Sequence, residues 1–527
     1  MKRYMALALA LTMLLCCASA LAETATGNIK PLTYHTYPLT EEPVTYTWIV
    51  STKISDVNDT PVIQNFEELT GVHIDWIHVS EADAETRRNL MWASGDIPDI
   101  IGTGMFTSND LLSYYQYGVL LPISDYIDTC MPNFKDLTSR EGYTGVLDSI
   151  TLSDGKIYSL PAVQADNHTQ VTSQVSINVK WLDQLGLDMP TTTDELIDVL
   201  IAFRDNDMNG NGENDEVPFA YCYGQDWMNG QFNGWFGITQ DIMISPEGVV
   251  TYSPYEDGWK EMVKFMNKLW EENLLDPELF TQDYATFNAK GMEGRYGVFQ
   301  SYGKYITVPE SAFGDYAYLA PLKSTTDISG SIRFRPDGGF IDLARALVSA
   351  EVENPELLMK YIDTYYDPYY GVQVSNGAIG VHLEFNADGD LVRSMDVPDE
   401  YATWEEWRTA TIHHQLPCGI TEVEMTALSG TSAEEVCYTE QTNFYRPYFI
   451  NIVMPYNYML LEESEEMAKY TTDITKYVNE QYAKWVSGES DVEADWDAYK
   501  AQLENLGVKE YVAAYQAYYD RIAEQFK

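Results

Sequence analysis

Basic residues are scarce in this sequence, since 32 Lys and Arg stand against 81 Asp and Glu and give a formal net charge of −49 over 527 residues. Nucleic acids and anionic membranes are bound through a basic surface, so the shortage argues against both as partners. Beyond the N-terminus the chain also lacks an apolar run long enough to cross a membrane. Hydrophobic residues still make up 45% of the chain. The composition therefore predicts two or three folded domains rather than disorder.

Cysteines and catalytic motifs are also few. Two of the six cysteines lie in the first 22 residues, and the others are Cys130, Cys222, Cys418 and Cys437. They form no CxxC pair, and a Cys418–Cys437 disulfide stays open as a possibility. The chain lacks the HExxH, GxSxG and Walker motifs. The adjacent His413 and His414 would point to opposite faces of a strand, which predicts surface or core residues rather than a zinc pair.

Residues 1–22 are predicted to be a signal peptide. Lys2 and Arg3 precede an apolar stretch, Met5–Leu15, and the small residues before Glu23 suit cleavage. Cys16 and Cys17 follow Met-Leu-Leu, whereas a lipid-modification site has a small residue next to its cysteine. This favours cleavage and release over a lipid anchor. We expect a secreted, extracellular protein that is associated with the cell surface.

From Val44 onward the pattern alternates between strands and helices. Strands are predicted at Val44–Val50, Val72–Val79 and Ile97–Ile101. The first intervening helix opens at Thr60-Pro61 and ends at Gly71, and the second is capped by Ser80 and runs to about Ala93. This order predicts an α/β fold with parallel strands, whose ligands bind beyond the carboxyl ends. Gly102–Phe106, which contains Thr103, is therefore a candidate for lining a cleft.

Further local signals lie in the middle of the chain. Thr192 and Glu195 form a predicted capping box. The predicted helix at Gly258–Glu272 carries apolar residues at helical spacing, which indicates a core-facing helix. Asn386–Asp390 lacks a closing acidic residue for a calcium loop, and its Asp-Gly pair is typical of a hairpin.

A loop at Asp205–Glu216 places oxygen-bearing side chains on alternate residues, as a calcium site requires. Two registers compete. The EF-hand register begins at Asp205 and has Gly210 at its sixth position, whereas the other begins at Asp207 and has Gly212 there. A solvated polar turn is the alternative to a metal site. Because Pro218 follows the loop where a sensor would have a helix, we expect calcium to act as a structural clip.

The order of several weak motifs resembles a known family. The segments are Met91–Ile100 (like ASGD-x-PD), Gly118–Ile123 (like G-x-L-x-PL), Asp154–Pro161 (like DGKIY-x-LP), Asn178–Leu187 (like N-K-x-WLD-x-LGL), Gly380–His382 with Asp388-Gly389, and Trp496–Phe526. They resemble the family 1 extracellular solute-binding proteins of ABC importers, and in particular the lipoprotein-like, oligosaccharide-binding branch related to alginate-binding proteins. The resemblance covers nearly all of the mature chain.

The resemblance implies a periplasmic-binding-protein-like fold of two α/β lobes, with a hinge and a ligand cleft between them. The predicted segments are 40–165 and 316–380 for the first lobe, and 166–315 and 381–527 for the second. It also implies the calcium register that begins at Asp207. The implied Ca²⁺ ligands are Asp207, Asn209, Asn211, Asp215, Glu216 and the backbone carbonyl of Glu213.

Sugar-binding sites combine aromatic rings that stack on sugars with polar groups that bind hydroxyls. The candidate ligand-binding residues are Trp227, Trp235, Tyr302, Gln164, Asn167, His168 and Thr103. Core packing is the alternative for each aromatic residue, and an absence of ligand contact is the alternative for His168.

The sequence therefore predicts a monomeric binding protein, not an enzyme. It would capture a carbohydrate, expected to be an oligosaccharide, and deliver it to an ABC transporter permease. The alternatives are a secreted, calcium-stabilised carbohydrate-active enzyme, or a receptor for peptides or lipids on the same fold.

Overall fold

The computed structural model describes residues 28–164, 171, 173–223, 232–324, 341–401, 404–428, 433–449, 454 and 457–523. Its strands are β1 (Val44–Ser51), β2 (Val72–Val79), β3 (Ile100–Gly102), β4 (Ser159–Gln164), β5 (Gln174–Asn178), β6 (Val217–Ala220), β7 (Ile242–Ile244), β8 (Val250–Tyr252), β9 (Tyr296–Ser301), β10 (Tyr316–Tyr318), β11 (Ile341–Val348), β12 (Leu383–Phe385), β13 (Leu391–Arg393) and β14 (Cys418–Ile420).

Helices lie between most of these strands. They are α1 (Pro61–Thr70), α2 (Ala84–Ser94), α3 (Ser108–Tyr114), α4 (Ser124–Cys130), α5 (Pro132–Ser139), α6 (Val146–Ile150), α7 (Val179–Leu185), α8 (Thr193–Arg204), α9 (Asp257–Glu271), α10 (Tyr284–Met292), α11 (Lys304–Thr307), α12 (Pro355–Asp363), α13 (Pro368–Asn376), α14 (Trp404–Thr411), α15 (Glu422–Leu428), α16 (Ala433–Tyr445), α17 (Leu461–Val486), α18 (Val492–Asn505) and α19 (Val508–Ala523). Within the described residues, none of the helices combines the length and apolar character that a membrane crossing requires.

The chain divides into two compact units, with boundaries after residues 166, 338 and 430. The first unit joins the chain up to 166 to residues 339–430, and the second joins 167–338 to 431–527. The predicted lobe segments divide after 165, 315 and 380 instead. The two later boundaries differ because β10 pairs with β5 in the second unit and β14 pairs with β4 in the first. A sequence pattern indicates a strand but not its distant partner.

The first unit is built on a six-stranded sheet of order β14-β4-β11-β3-β1-β2. β1 runs parallel to β2 and β3, β14 runs parallel to β4, and β11 is antiparallel to both β3 and β4. Five strands therefore share one direction and β11 opposes them. Trp48 and Trp76 stack on this sheet with ring centroids 4.8 Å apart, and both are buried.

The second unit has a four-stranded sheet of order β10-β5-β9-β6. Helix α9 buries the apolar side that its spacing predicted, with Trp259, Met262, Phe265, Met266 and Leu269 in the core. Trp259 lies parallel to Tyr499 of α18, with ring centroids 5.8 Å apart. The C-terminal helices thus complete the core of this unit.

Several local predictions are confirmed. Pro61 opens α1, and Gly71 ends it with a φ of 74°, a conformation that favours glycine. Thr192 and Glu195 form the capping box of α8, and Asn386–Asp390 connects the antiparallel pair β12 and β13. The second predicted helix begins later than expected, because Ser80 bonds to Asp83 and Asp83 takes the N-cap position.

Two further features that the sequence left open can be placed. Cys418 and Cys437 are both buried, and in the described part of the chain neither takes part in a disulfide. His413 and His414 lie in the segment between α14 and β14 rather than on a strand, and His413 is buried.

Two buried carboxylates hold the N-terminal segment against the first unit. Asp363 Oδ2 lies 2.7 Å from His35 Nε2, and Asp367 Oδ2 accepts a hydrogen bond from the backbone N–H of Leu32 at 2.7 Å. Burial raises the pKa of Asp367 to about 7, against the lowering effect of backbone N–H groups such as that of Tyr369. Attachment of this segment therefore depends on groups that water does not reach.

Candidate functional site

The carboxyl ends of the parallel strands in the first sheet bring polar groups together. Thr103 directly follows β3 and is half-buried. Its hydroxyl lies within hydrogen-bond distance of the carbonyl oxygens of Arg345, at 3.2 Å, and of Gln415, at 3.0 Å. Ligands of open α/β sheets bind beyond this edge. Thr103 therefore lies where the sequence placed it, and it joins β3 to two segments from far along the chain.

Gln164 ends β4 at the same edge. Its side-chain amide donates to Ser375 Oγ and to Cys418 Sγ, both at 3.2 Å. Burial raises the pKa of the Cys418 thiol to about 11, so this cysteine is a neutral partner rather than a nucleophile. Gln164 itself is half-buried.

An irregularity in β11 lies beside these groups. Asp342 is paired with Ala162 and Ala346 with Leu160, so three residues of β11, 343–345, stand opposite Pro161 alone. Proline has no N–H to donate to the ladder, and an irregularity of this kind changes the direction of the side chains that follow it. This irregularity was not predicted from the sequence, although Pro161 was a signal for it.

The β11 irregularity carries a charged pair. Arg345 Nε lies 2.8 Å from Asp342 Oδ2, and the two side chains are 19% and 47% exposed. Arg345 Nε makes no geometrically acceptable hydrogen bond, so the contact is an ion pair. The charge of Arg345 also acts on the buried His413, whose pKa is lowered to about 3, first by burial and then by the charges of His414, Arg345 and His78. His413 is thus a neutral imidazole, and its Nε2 has no partner among the described residues.

Trp235 lies in the core of the second unit rather than at a surface. Its side chain is 2% exposed. The ring meets Phe219, Phe232 and Phe265 edge to face, with centroid distances of 6.4, 6.2 and 6.2 Å. We therefore assign Trp235 to core packing in place of the predicted sugar contact.

Tyr302 follows β9 and is half-buried. Its backbone carbonyl accepts a hydrogen bond from Gln441 Nε2 at 3.1 Å, and its ring lies edge-on to Tyr305. Tyr302 remains a candidate for ligand contact. The predicted Trp227, Asn167 and His168 lie outside the described residues.

The predicted calcium loop follows α8 in the second unit, and Asp207 organises its turn. Asp207 Oδ1 accepts from the N–H of Gly210 at 2.8 Å, and Oδ2 accepts from that of Gly212 at 2.9 Å. Both glycines have positive φ, 76° and 84°, so a side chain at either position would be strained. Glu213, whose carbonyl was the sixth predicted ligand, is exposed.

The far end of the loop folds back onto its beginning. Glu216 Oε1 accepts from the N–H groups of Met208, at 2.6 Å, and Asn209, at 3.2 Å. Asp215 Oδ1 accepts from the side-chain amides of Asn209 and Asn211 at 3.0 and 3.1 Å. Four of the six predicted ligands, Asn209, Asn211, Asp215 and Glu216, are therefore connected to one another by hydrogen bonds within the loop.

The loop's donor set fits a hard cation. Glu216 Oε2 is buried and has no hydrogen-bond partner among the described residues, as expected for an oxygen that a cation would bind. Within the described residues, no three His, Cys, Asp or Glu side chains form a metal-binding cluster on their own. The loop nevertheless offers carboxylate and amide oxygens, and oxygen ligands of this kind suit Ca²⁺.

Asp205, the first residue of the EF-hand register, is directed elsewhere. Its Oδ1 lies 2.8 Å from Arg204 Nε, and this contact lowers the pKa of the Asp205 carboxyl. Arg295 Nε binds the loop from outside, at 2.9 Å from the carbonyl oxygen of Asp215 and 3.2 Å from its Oδ2. The geometry thus connects Asp207, and not Asp205, to the rest of the loop.

Comparisons with known proteins agree on one family. Residues 62–370, more than half of the chain, match the family model described as bacterial extracellular solute-binding protein. The chain is 30% identical to the fructooligosaccharide ABC transporter substrate-binding protein FusA of Streptococcus pneumoniae serotype 4, over 99% of this chain and 98% of FusA. It is 24% identical to lipoprotein LipO of Bacillus subtilis, over 81% of this chain and 86% of LipO.

Solved structures give the same answer for the fold. FusA in complex with kestose has a TM-score of 0.78 at 29% identity, covering 91% of this chain and all of FusA. An EF-hand mutant of FusA in complex with fructo-nystose has the same values. The alginate-binding protein AlgQ2, in a structure without calcium ion, has a TM-score of 0.72 at 22% identity, covering 92% of this chain and 99% of AlgQ2. The expected two-lobed α/β fold is confirmed.

Proposed function

Because the chain belongs to the bacterial extracellular solute-binding proteins, we propose that it captures an oligosaccharide and delivers it to an ABC transporter permease. The observation that carries the proposal is the 30% identity to FusA, a fructooligosaccharide ABC transporter substrate-binding protein, along almost the whole of both chains. A relationship over one domain would support the fold alone, whereas this one spans every element of both units.

The polar edge of the first sheet supports this function. Thr103, Gln164, Asp342 and Arg345 come together where the parallel strands end. Amide, guanidinium and carboxylate groups are the partners that sugar hydroxyls require, because each hydroxyl both donates and accepts. These groups of the first unit would bind the sugar, and Tyr302, Trp227, Asn167 and His168 stay predicted contacts.

Capture and release, rather than chemistry on the sugar, would be the protein's task. Its relative FusA is a substrate-binding protein, and the charged groups at the sheet edge are paired with each other. The protein would act as a monomer outside the cytoplasm, at the cell surface. Ligand would be retained by hydrogen bonds to its hydroxyls and released when the lobes open.

Calcium would act as a structural clip in this scheme. Asp207, Asn209, Asn211, Asp215 and Glu216, with the carbonyl of Glu213, would hold the ion. Ca²⁺ would neutralise carboxylates that otherwise repel one another, and it would fix the connection between α8 and β6. The loop follows a capped helix of the second unit, so its effect should be on stability and not on sugar contacts.

Isothermal titration calorimetry tests the binding function. We expect saturable binding of kestose or another neutral oligosaccharide, with the sugar recovered intact by chromatography. Absence of binding across a broad oligosaccharide panel would refute the proposal. Release of shorter sugars in proportion to protein would instead support the carbohydrate-active enzyme.

Thermal unfolding tests the calcium clip. Because Ca²⁺ binds the native state, EDTA should lower the melting temperature, and added Ca²⁺ should restore it. At 100 times the dissociation constant the ion contributes about 2.7 kcal/mol. Mg²⁺ should restore much less, since it requires a tighter octahedral shell. An unchanged melting temperature in EDTA would show that the loop is a polar turn.

A further inference from the structure

The ion pair at the β11 irregularity is placed by two features. Pro161 interrupts the ladder opposite residues 343–345, and Thr103 fixes the carbonyl of Arg345 at 3.2 Å. Asp342 and Arg345 then lie at the carboxyl edge of the first sheet, 47% and 19% exposed. Both side chains are therefore partly accessible to a ligand at this edge of the sheet.

The chemistry of the pair suits two neighbouring hydroxyl groups of a sugar. A carboxylate accepts hydrogen bonds from two hydroxyls, while a guanidinium donates several in one plane. Arg345 Nε lies 2.8 Å from Asp342, and the two terminal nitrogens are the groups suited to donate to a ligand. Both side chains are charged, so their hydrogen bonds to hydroxyls are stronger than those of neutral groups.

The pair also carries no net charge. The 2.8 Å contact matches the positive charge of Arg345 with the negative charge of Asp342, and the buried His413 is neutral. The chain as a whole has a formal charge of −49, which repels anions at a distance. The carboxylate of a uronic acid needs a cation whose charge is not already matched. At this site it would meet Asp342, which repels it, and Arg345, whose charge Asp342 already matches.

We propose that Asp342 and Arg345 are specificity-determining residues of the carbohydrate site, which bind neighbouring hydroxyls and select neutral oligosaccharides over uronic acid oligomers. This inference rests on the proposed function and adds the class of sugar to it. Asp342 accepts from the hydroxyls and Arg345 donates to them. Thr103 acts as a positioning residue through the backbone of Arg345.

Calorimetry with neutral trisaccharides, kestose among them, and with trigalacturonic acid tests the inference. The wild-type protein should bind a neutral sugar at least 100-fold more tightly than the uronic acid. Asp342→Asn should weaken binding of the neutral sugar at least tenfold. It should also reduce the preference for the neutral sugar over trigalacturonic acid at least tenfold, because the charge of Arg345 is then unmatched. Arg345→Gln should weaken binding of the neutral sugar without reducing the preference for it over trigalacturonic acid.

The matched control is Asp136→Asn, which removes the partner of Arg140 in another partly exposed ion pair of the first unit, at 2.9 Å. It should change neither affinity more than twofold. Asp342 is half exposed, so Asp342→Asn should fold, and its circular dichroism and melting temperature should match those of the control.

Each result leads to a decision. If the wild-type protein binds a neutral sugar and the Asp342→Asn variant has the same sugar affinities, the inference is overturned and the proposed function stands. Tighter binding of trigalacturonic acid by the wild type does the same. Binding of no sugar of either class overturns both.

Discussion

Replacing Trp235 by Ala distinguishes a core residue from a sugar-stacking one. The structure leaves 2% of its side chain exposed and surrounds the ring with three phenylalanines at 6.2–6.4 Å. Removing a buried tryptophan ring costs about 3–5 kcal/mol, because apolar contacts are lost and a cavity remains. Since little of the ring is exposed to a ligand, sugar affinity should change less than twofold.

Urea unfolding followed by far-ultraviolet circular dichroism measures this loss without depending on the fluorescence of the removed ring. The midpoint should fall by an amount equivalent to about 4 kcal/mol, with the slope unchanged. Trp235→Phe should lose less, since it keeps most of the apolar volume. Tyr117→Ala is the surface control, because that side chain is 78% exposed, and it should lie within about 0.5 kcal/mol of the wild type.

The opposite pattern would refute the argument. A Trp235→Ala protein with wild-type stability and a tenfold loss of affinity for kestose would place the ring at the sugar. It would also show that the aromatic cluster of the second unit opens when ligand binds.

Three further predictions concern the candidate calcium loop, the buried carboxyl of Asp367 and the close packing around Gly371. Asp207→Ala should abolish the rise in melting temperature with added Ca²⁺, whereas Asp205→Ala should keep it; the reverse pattern would establish the EF-hand register. Because burial raises the pKa of Asp367 to about 7, its proton stabilises the native state at low pH, and this contribution of about 4 kcal/mol is lost as the pH rises from about 4 through 7. The Asn side chain of Asp367→Asn cannot titrate. In urea unfolding, the free energy of unfolding of this variant should therefore fall less steeply from pH 5 to 8 than that of the wild type. Parallel curves of unfolding free energy against pH would exclude a stabilising role for the Asp367 proton. Gly371→Ala should cost about 1–3 kcal/mol in the same assay, because its Cβ would lie 2.7 and 2.8 Å from two backbone carbonyl oxygens; a wild-type midpoint would show that α13 can shift.

The sequence predicts those parts of the fold that depend on neighbours along the chain. Strand β2 has the predicted bounds, and β1 differs from its prediction by one residue. The cap of α8 follows from a pattern within one turn of helix. The buried side of α9 follows from the spacing of apolar residues along that helix. In each case the residues that interact are close in the sequence, so their spacing carries the information.

The remaining features depend on partners that lie far apart in the sequence. β10 was assigned to the wrong segment because its partner, β5, lies well over a hundred residues earlier. Trp235 was a candidate for the cleft because aromatic composition does not distinguish a ring packed on Phe265 from one packed on a sugar. Arg345 was missed because its position depends on the irregular pairing of β11 with β4 around Pro161.

The candidate site was predicted in part. Thr103 follows β3 and lies at the sheet edge that the strand order predicted, whereas the position of Gln164 at the end of β4 on that edge was not predicted. The candidate calcium loop could be identified because its oxygens alternate within one short segment. The sequence could not select the register on its own, since the choice depends on where the side chain of Asp205 points.

The order in which the chain completes its sheets has a consequence for its synthesis. Gln164 and Cys418 lie on paired strands although 254 positions separate them, and β11 also comes after the second unit has begun. At about 5–20 residues per second, β3 and β4 wait on the order of tens of seconds for their last partners. The first unit can therefore complete its sheet only after β14 has been synthesised. For the same reason, a shortened gene that ends at residue 338 would produce exposed strand edges and aggregation, and expression of the first unit alone requires residues 28–166 to be joined directly to 339–430.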